Sequence, residues 1–185
     1  MDLIAVSGLA GSGKSEFAKV LAPLGYELVK FAGPLKAMLR GFYHECGLNP
    51  VEVDRKIEGD LKEQPCEYLC GKTPRHAMLT LGTEWGREMI DNDLWVNAFS
   101  KRASASEAVI CDDLRFENEE KTIRDLGGAI VRVHRPDQTQ ISETVGHASE
   151  THRVKEDVAI TNDGTLTAYL AKVDNFVFNH LKKAA

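Results

Sequence analysis

The sequence predicts an α/β fold in which a parallel sheet lies between two layers of helices, and three observations predict it. Short apolar runs of strand type, such as Leu3-Ile4-Ala5-Val6 and Ala129 to His134, alternate with segments whose apolar residues recur at helical spacing. Glycine and proline, as at Pro23, Gly25 and Gly127-Gly128, punctuate the joins. The first strand runs directly into a glycine-rich turn, Gly8 to Ser15, that opens a helix. This alternation suits strands joined by right-handed crossovers in one sheet.

Phe17, Val20 and Leu21 give the first helix its apolar face, and Tyr26-Glu27-Leu28-Val29-Lys30-Phe31 reads as the second strand. Pro34 suits the first turn of a helix carrying Leu35, Met38, Leu39 and Phe42, with Lys36 near the strand ends where such sheets bind ligands. From Asn49 to Gly71 the pattern loosens. Asn49-Pro50 can cap a short helix, but Glu52 to Glu58 is charged apart from Val53 and Ile57, which predicts a mobile, solvated insertion. Thr73-Pro74 caps a helix with Arg75 in its opening turn and Met78, Leu79 and Leu81 facing a core. In Gly82-Thr83-Glu84-Trp85-Gly86-Arg87 the two glycines predict a bend with a close approach by a ligand or backbone.

Asp91-Asn92-Asp93 restarts a helix through Leu94-Trp95-Val96-Asn97-Ala98-Phe99. Glu107 to Asp113 is a buried strand ending in two carboxylates, Asn118 to Leu126 is a helix stopped by Gly127-Gly128, and Ala129 to His134 is the fourth strand. Pro136 to Asp157 is polar, with Arg135 and Arg153 bracketing it, and is read as a lid because it lies between two strands of one sheet. Val158-Ala159-Ile160 forms the last strand, Asn162-Asp163-Gly164-Thr165 a turn, and Leu166 to Leu181 a closing amphipathic helix.

A chain of 185 residues with 43% hydrophobic composition can bury one good core, and one domain is expected. The net charge of −5 argues against a general nucleic-acid binder, which needs excess positive charge to displace counterions. The lack of a leader pattern and of any long apolar run argues for a soluble intracellular protein without a membrane partner. Cys46, Cys66, Cys70 and Cys111 fit that compartment as free thiols, and the spacing of Cys66 and Cys70 is irregular for zinc.

Gly8 to Ser15, read as Gly-Leu-Ala-Gly-Ser-Gly-Lys-Ser, matches the G-x-x-x-x-G-K-[ST] phosphate loop in its required strand-then-helix context. Backbone N–H groups of such a loop curl round a phosphate, and the helix end adds a positive dipole. Gly8, Ala10, Gly11, Ser12 and Gly13 are expected to hold triphosphate oxygens, with Lys14 on the β- and γ-phosphates and Ser15 on Mg²⁺. A turn that only joined strand to helix would give Lys14 no reason to stand beside Ser15. The carboxylates at Asp112 and Asp113 lie where such proteins keep the acid that supports Mg²⁺, and strand alternation lets only one face the site.

Lys36, Arg75, Arg87, Arg115 and Arg135 stand at expected strand ends and helix starts, which suggests a second anionic ligand. An acceptor that is itself a phosphate already carries an anionic oxygen and needs no catalytic base, so the work becomes charge neutralisation.

Taken together, the motifs resemble the phage-type deoxynucleoside monophosphate kinases, a branch of the P-loop nucleotide kinases. The residues that carry the likeness are Phe31-Ala32-x-Pro34-Leu35-Lys36, Arg75, Leu81-Gly82-Thr83-Glu84-Trp85-Gly86-Arg87, Trp95-Val96, Asp113-x-Arg115-Phe116-x-Asn118-Glu119 and Asn162-Asp163-Gly164-Thr165. The resemblance implies a P-loop NTPase three-layer α/β/α sandwich on a five-stranded parallel sheet, with a helical acceptor-binding region at 34–104 and a lid at 136–157. It implies ATP- and Mg²⁺-dependent phosphorylation of a deoxynucleoside 5′-monophosphate. Lys36, Arg75 and Arg87 would hold the acceptor phosphate, and Thr83, Glu84, Trp85 and Trp95 its sugar and base. Asp113 would support Mg²⁺ through water, and Arg115 and Arg135 would neutralise the transferring charge. Asn162, Asp163, Gly164 and Thr165 would lie beside the adenine. His147-x-Ser149-Glu150 resembles a lid motif of the family, which places Glu150 on substrate. The family also implies a cytoplasmic enzyme, in the host cell if phage-encoded, and allows a homodimer.

Trp85 and Trp95 also fit as core residues, being at helical spacing from apolar neighbours. Competing readings are a P-loop kinase with a hydroxyl acceptor, such as a dephospho-coenzyme A kinase, and a nucleotide-binding switch without phosphoryl transfer.

Overall fold

The structure, a computed structural model, describes residues 1–136 and 154–184, with side chains as far as residue 180. Its chain divides into two compact units, one formed by residues 1–31 and 99–185 and the other by residues 32–98.

The first unit is built on a five-stranded sheet of order β2-β3-β1-β4-β5. The strands are β1 (Asp2–Ser7), β2 (Glu27–Leu28), β3 (Ala108–Cys111), β4 (Ala129–His134) and β5 (Val158–Thr161). All pairings are parallel: Ile4 stands opposite Ile110 on one side and Ala129 on the other. β1 is central because Leu3 to Val6 are apolar on both faces, and none of the four is more than 2% exposed. Helices α1 (Lys14–Leu21) and α7 (Leu166–Ala184) share a core with the sheet, in which Phe17, Leu21, Tyr169 and Val173 pack on Ile4, Val6, Ile110 and Val131. Helix α6 (Glu117–Asp125) follows β3, and Gly127 at φ +75° ends the turn after it.

The second strand is shorter than the apolar run from Tyr26 to Phe31 predicts. Val29 N–H still donates to Ile110 O at 3.0 Å, but Phe31 N–H turns to the Asp113 carboxylate instead and the Phe31 ring stacks on Phe99. A side-chain acceptor has replaced the ladder.

The second unit is helical. It comprises α2 (Gly33–Glu45), α3 (Pro50–Ile57), α4 (Pro74–Thr80), a wide π-type helix over Leu81–Ile90 that continues α4, and the start of α5 (Leu94–Ala103). The stretch expected to be a mobile insertion is corrected here. Asn49 caps α3 by accepting from Glu52 N–H at 3.0 Å, Glu52 and the Arg55-Lys56 pair complement its dipole, and Val53 and Ile57 are fully buried. Each such burial is worth about 1.5–3 kcal/mol, so two anchors suffice to dock a short helix. They join Leu35, Leu39, Tyr43, Met78 and Trp95 in the core of this unit.

The bend expected around Gly82 and Gly86 is instead the wide helix. A Cβ on Gly86 would lie 2.5 Å from the Trp95 indole, so the close approach is made by a side chain of the same unit. The indole N–H donates to Gly82 O at 2.8 Å and so ties α5 to the wide helix.

Candidate active site

The phosphate loop leaves β1 with three glycines at positive φ, Gly8 (+139°), Gly11 (+76°) and Gly13 (+114°). At Gly8 a side chain would run into the Val133 carbonyl, and at Gly13 into Asn162 Nδ2 and the Tyr169 ring, so both positions need glycine for conformation and for space. Two residues from the far end of the chain brace the loop: Asn162 Nδ2 donates to Ser12 O and Tyr169 O–H to Gly13 O, each at 2.9 Å.

Several features fit a triphosphate. Ser12 is buried and its hydroxyl has no partner among the described residues, Gly11 and Ala10 are exposed at the crown, and Lys14 Nζ donates to the carbonyls of Gly8 (2.8 Å) and Leu9 (2.7 Å) on its own loop. Burial, reinforced by the nearby Arg115 charge, pulls the Lys14 ammonium down to about 8 against the opposing pull of Asp112 and Asp113. An anion in the loop would relieve that tension.

The two carboxylates after β3 differ in their partners. Asp113, the motif acid, is engaged by its neighbours: its Oδ1 accepts from Phe31 N–H at 3.0 Å and from Cys111 Sγ at 3.3 Å. Asp112 is the carboxylate that faces the loop. It is 4% exposed, its Oδ2 lies 3.4 Å from Ser15 Oγ, and Lys30 Nζ pairs with its Oδ1 at 2.9 Å. Both acids lie just past the end of β3, and each has its own partners. A hydroxyl and a carboxylate are hard oxygen ligands and fit Mg²⁺, which takes few protein ligands and completes its shell from phosphate and water.

Arg115 follows on an exposed turn fixed by the buried Glu119, whose Oε2 accepts from the N–H groups of Arg115 (2.8 Å) and Phe116 (3.1 Å). Arg135 is exposed just past β4. Asp163 is paired with Lys172 at 2.6 Å, which holds its carboxyl below the usual range, and Thr165 Oγ1 accepts from Ala168 N–H at the start of α7. Gly164 has only the Ala168 methyl within reach of its open side.

In the second unit Lys36 Nζ grips both oxygens of Glu58 at 2.8 and 2.9 Å, and Arg75 Nε pairs with Glu63 at 2.6 Å. Arg87 donates to Asn92 O at 3.2 Å. Thr83 and Trp85 are half-buried and Glu84 is exposed. Trp95 is 4% exposed and its N–H donates to Gly82 O, so it serves as core and as a strut for the wide helix. Trp85 lies against it at a ring separation of 6.1 Å.

Glu150, together with His147, Ser149 and Arg153, lies outside the described residues. The last residues assigned to the lid are fastened down: Val154 is buried, Lys155 N–H donates to Glu120, and Asp157 bonds the N–H of Ile130 and pairs with Arg124.

The sequence assigns no role to Lys30, Glu119 or Tyr169. Glu119 is an acid in the first turn of α6, where it can reach back to the Phe116 N–H although Phe116 offers no acceptor in return, whereas Lys30 and Tyr169 meet partners far away in the sequence.

Similarity to known proteins agrees with this geometry. A protein of Acanthamoeba polyphaga mimivirus provisionally named a deoxynucleotide monophosphate kinase is 29% identical over 97% of this chain and 97% of its own. A cytidylate kinase from Thermotoga sp. (strain RQ2) is 36% identical over 37% of this chain and 31% of its own. Among solved structures, TT1252 from Thermus thermophilus aligns over 96% of both chains (TM-score 0.51, 18% identity). A dephospho-CoA kinase from Campylobacter jejuni aligns over 100% of both (TM-score 0.52, 13% identity). At such identities the structural matches show the shared P-loop kinase fold. The family of deoxynucleotide monophosphate kinases matches residues 71–173, more than half of the chain, and with its phosphate loop and that fold the protein belongs to this family of phosphotransferases.

Proposed function

We propose that this enzyme transfers the γ-phosphoryl group of ATP to the 5′-phosphate of a deoxynucleoside monophosphate. An oxygen of the acceptor phosphate attacks the γ-phosphorus, the bond to the β–γ bridging oxygen breaks, and ADP leaves with that oxygen. The observation that carries the reading is the engagement of both carboxylates beside the loop. Asp112 is held by Lys30 next to Ser15 and Asp113 by Phe31 N–H, so neither is poised as the base that a hydroxyl acceptor requires. Instead the first unit gathers Lys14, Lys30 and Arg115 around the place where negative charge is to be transferred.

In this reading the N–H groups of the loop and Lys14 bind the donor phosphates, and Asn162 and Tyr169 keep the loop in shape. Ser15 and Asp112 hold Mg²⁺, Asp112 taking the place expected of Asp113. The bound ion would draw charge from the β- and γ-phosphate oxygens. Lys36, Arg75 and Arg87 bind the acceptor phosphate, and Arg115 and Arg135 neutralise the group in transfer. The mimivirus protein's name supports a deoxynucleotide acceptor.

A coupled ADP-release assay with ATP and Mg²⁺ tests the proposal against each deoxynucleoside monophosphate, each ribonucleoside monophosphate and dephospho-coenzyme A. Turnover with one or more deoxynucleotides is expected. Turnover with the hydroxyl acceptor alone, or with none despite ATP binding, would overturn it.

A further inference from the structure

We propose that Lys62 is a further cation of the acceptor-phosphate subsite, beside Lys36, Arg75 and Arg87, and that Glu58 and Glu63 are resident counter-ions which the incoming phosphate displaces. This rests on the phosphate-acceptor reading above.

The residues come together inside the second unit. Lys62 sits on a short turn between α3 and α4 fixed at both sides: its N–H donates to Gly59 O at 3.3 Å and its carbonyl accepts from Arg75 N–H at 3.0 Å. The groups facing its ammonium are Arg75 from α4, Lys36 from α2, Glu58 from the end of α3 and Glu63 from its own turn. Three cations thus share two carboxylates, a surplus of one positive charge before any ligand arrives.

The exposures show which partner is the movable one. The Lys36 side chain is 17% exposed and Glu58, its partner, 46%; Arg75 is 36% exposed and Glu63 60%. The cations are recessed and the acids lie outward over them, as a cover lies. Exposed ion pairs of this kind are weak, so a dianion that can accept from several donors at once outcompetes them. Arg40, which pairs with Asp54 and reaches Glu58 at 3.7 Å, gives Glu58 an alternative partner on release.

Burial, together with the charges of Arg75 and Lys36, pulls Lys62 down to about 8 in the free protein. A bound phosphate dianion favours the charged form, so binding takes up a proton when the pH is above that value. Affinity is therefore full below pH 8 and falls as pH rises through it.

The test is direct binding, because turnover also depends on Lys14. Isothermal titration of the full chain with each deoxynucleoside monophosphate at pH 7 selects a ligand, whose Kd is then followed to pH 9. For the wild type a rise in Kd of about tenfold is expected. Lys62→Arg should bind well and lose that pH dependence. Lys62→Met should bind about tenfold or more weakly at pH 7, and Glu58→Gln should bind more tightly than wild type. Thermal melting checks each fold; if Lys62→Met does not fold, the pH slope of Lys62→Arg decides. A Kd and pH slope unaltered in Lys62→Arg, with wild-type affinity in Glu58→Gln, would overturn this inference and leave the acceptor reading standing. Failure of every deoxynucleotide to bind wild type would overturn both.

Discussion

Replacing Asp112 with Asn should raise the Mg²⁺ requirement of the enzyme about 10–100-fold, while the same change at Asp113 should leave it within about threefold. The larger figure is what loss of a carboxylate supporting a metal or its ligands typically costs. Asp112 is the candidate because its Oδ2 lies 3.4 Å from Ser15 Oγ and the loop, whereas Asp113 accepts from Phe31 N–H. An Asn at 113 keeps an amide oxygen to accept that N–H, so the local geometry survives. An Asn at 112 also withdraws the charge facing Lys30, and the resulting loss of stability, about 1–3 kcal/mol, is within what an ordinary domain tolerates. The assay is ADP release against Mg²⁺ concentration at saturating ATP and acceptor, with urea unfolding to confirm both variants fold. A Mg²⁺ shift in Asp113→Asn but not in Asp112→Asn would refute the assignment.

The Lys14 ammonium, held down to about 8 by burial, is needed charged, so kcat/KM for ATP at saturating acceptor should be level below pH 8 and fall about tenfold per unit above it; a level profile to pH 10 contradicts this. Tyr169→Phe removes the O–H bond to Gly13 O and should weaken ATP binding about fivefold, the equivalent of about 1 kcal/mol, and an unchanged Kd for ATP would show that the loop needs no such brace. Trp95→Phe strips the partner from Gly82 O and should cost about 1–3 kcal/mol in urea unfolding; stability within 0.5 kcal/mol of wild type, roughly the level of a surface change, would mean that the wide helix stands without it.

What the sequence made legible were features decided locally. The phosphate loop, the Asn49 and Thr73 caps and the apolar strands are each set by neighbours a few residues away, and each stands where the pattern put it. Which of Asp112 and Asp113 faces the loop depends on the phase of β3 against β1, and no spacing in the sequence reports that phase. Helix α3 was misjudged because charge was counted along the chain, while docking needed only Val53 and Ile57 on one face. The tryptophans were ambiguous for a related reason: a ring at helical spacing looks the same whether it meets a ligand or Gly86.

The bracing of the phosphate loop by Asn162 and Tyr169 has a bearing on how the protein is made. During synthesis the loop emerges well ahead of the groups that fix Ser12 and Gly13, which follow some 150 positions later. The central strand that carries it is likewise flanked by β3 and β4, both from the later half of the chain. Pairings between such distant segments form slowly and only once both exist. A nascent chain therefore holds an unbraced loop until those positions have been made, and competent ATP binding should arise only as α7 docks. Truncation between β5 and Asn162 would leave the whole phosphate-loop motif in place and remove both braces that hold it.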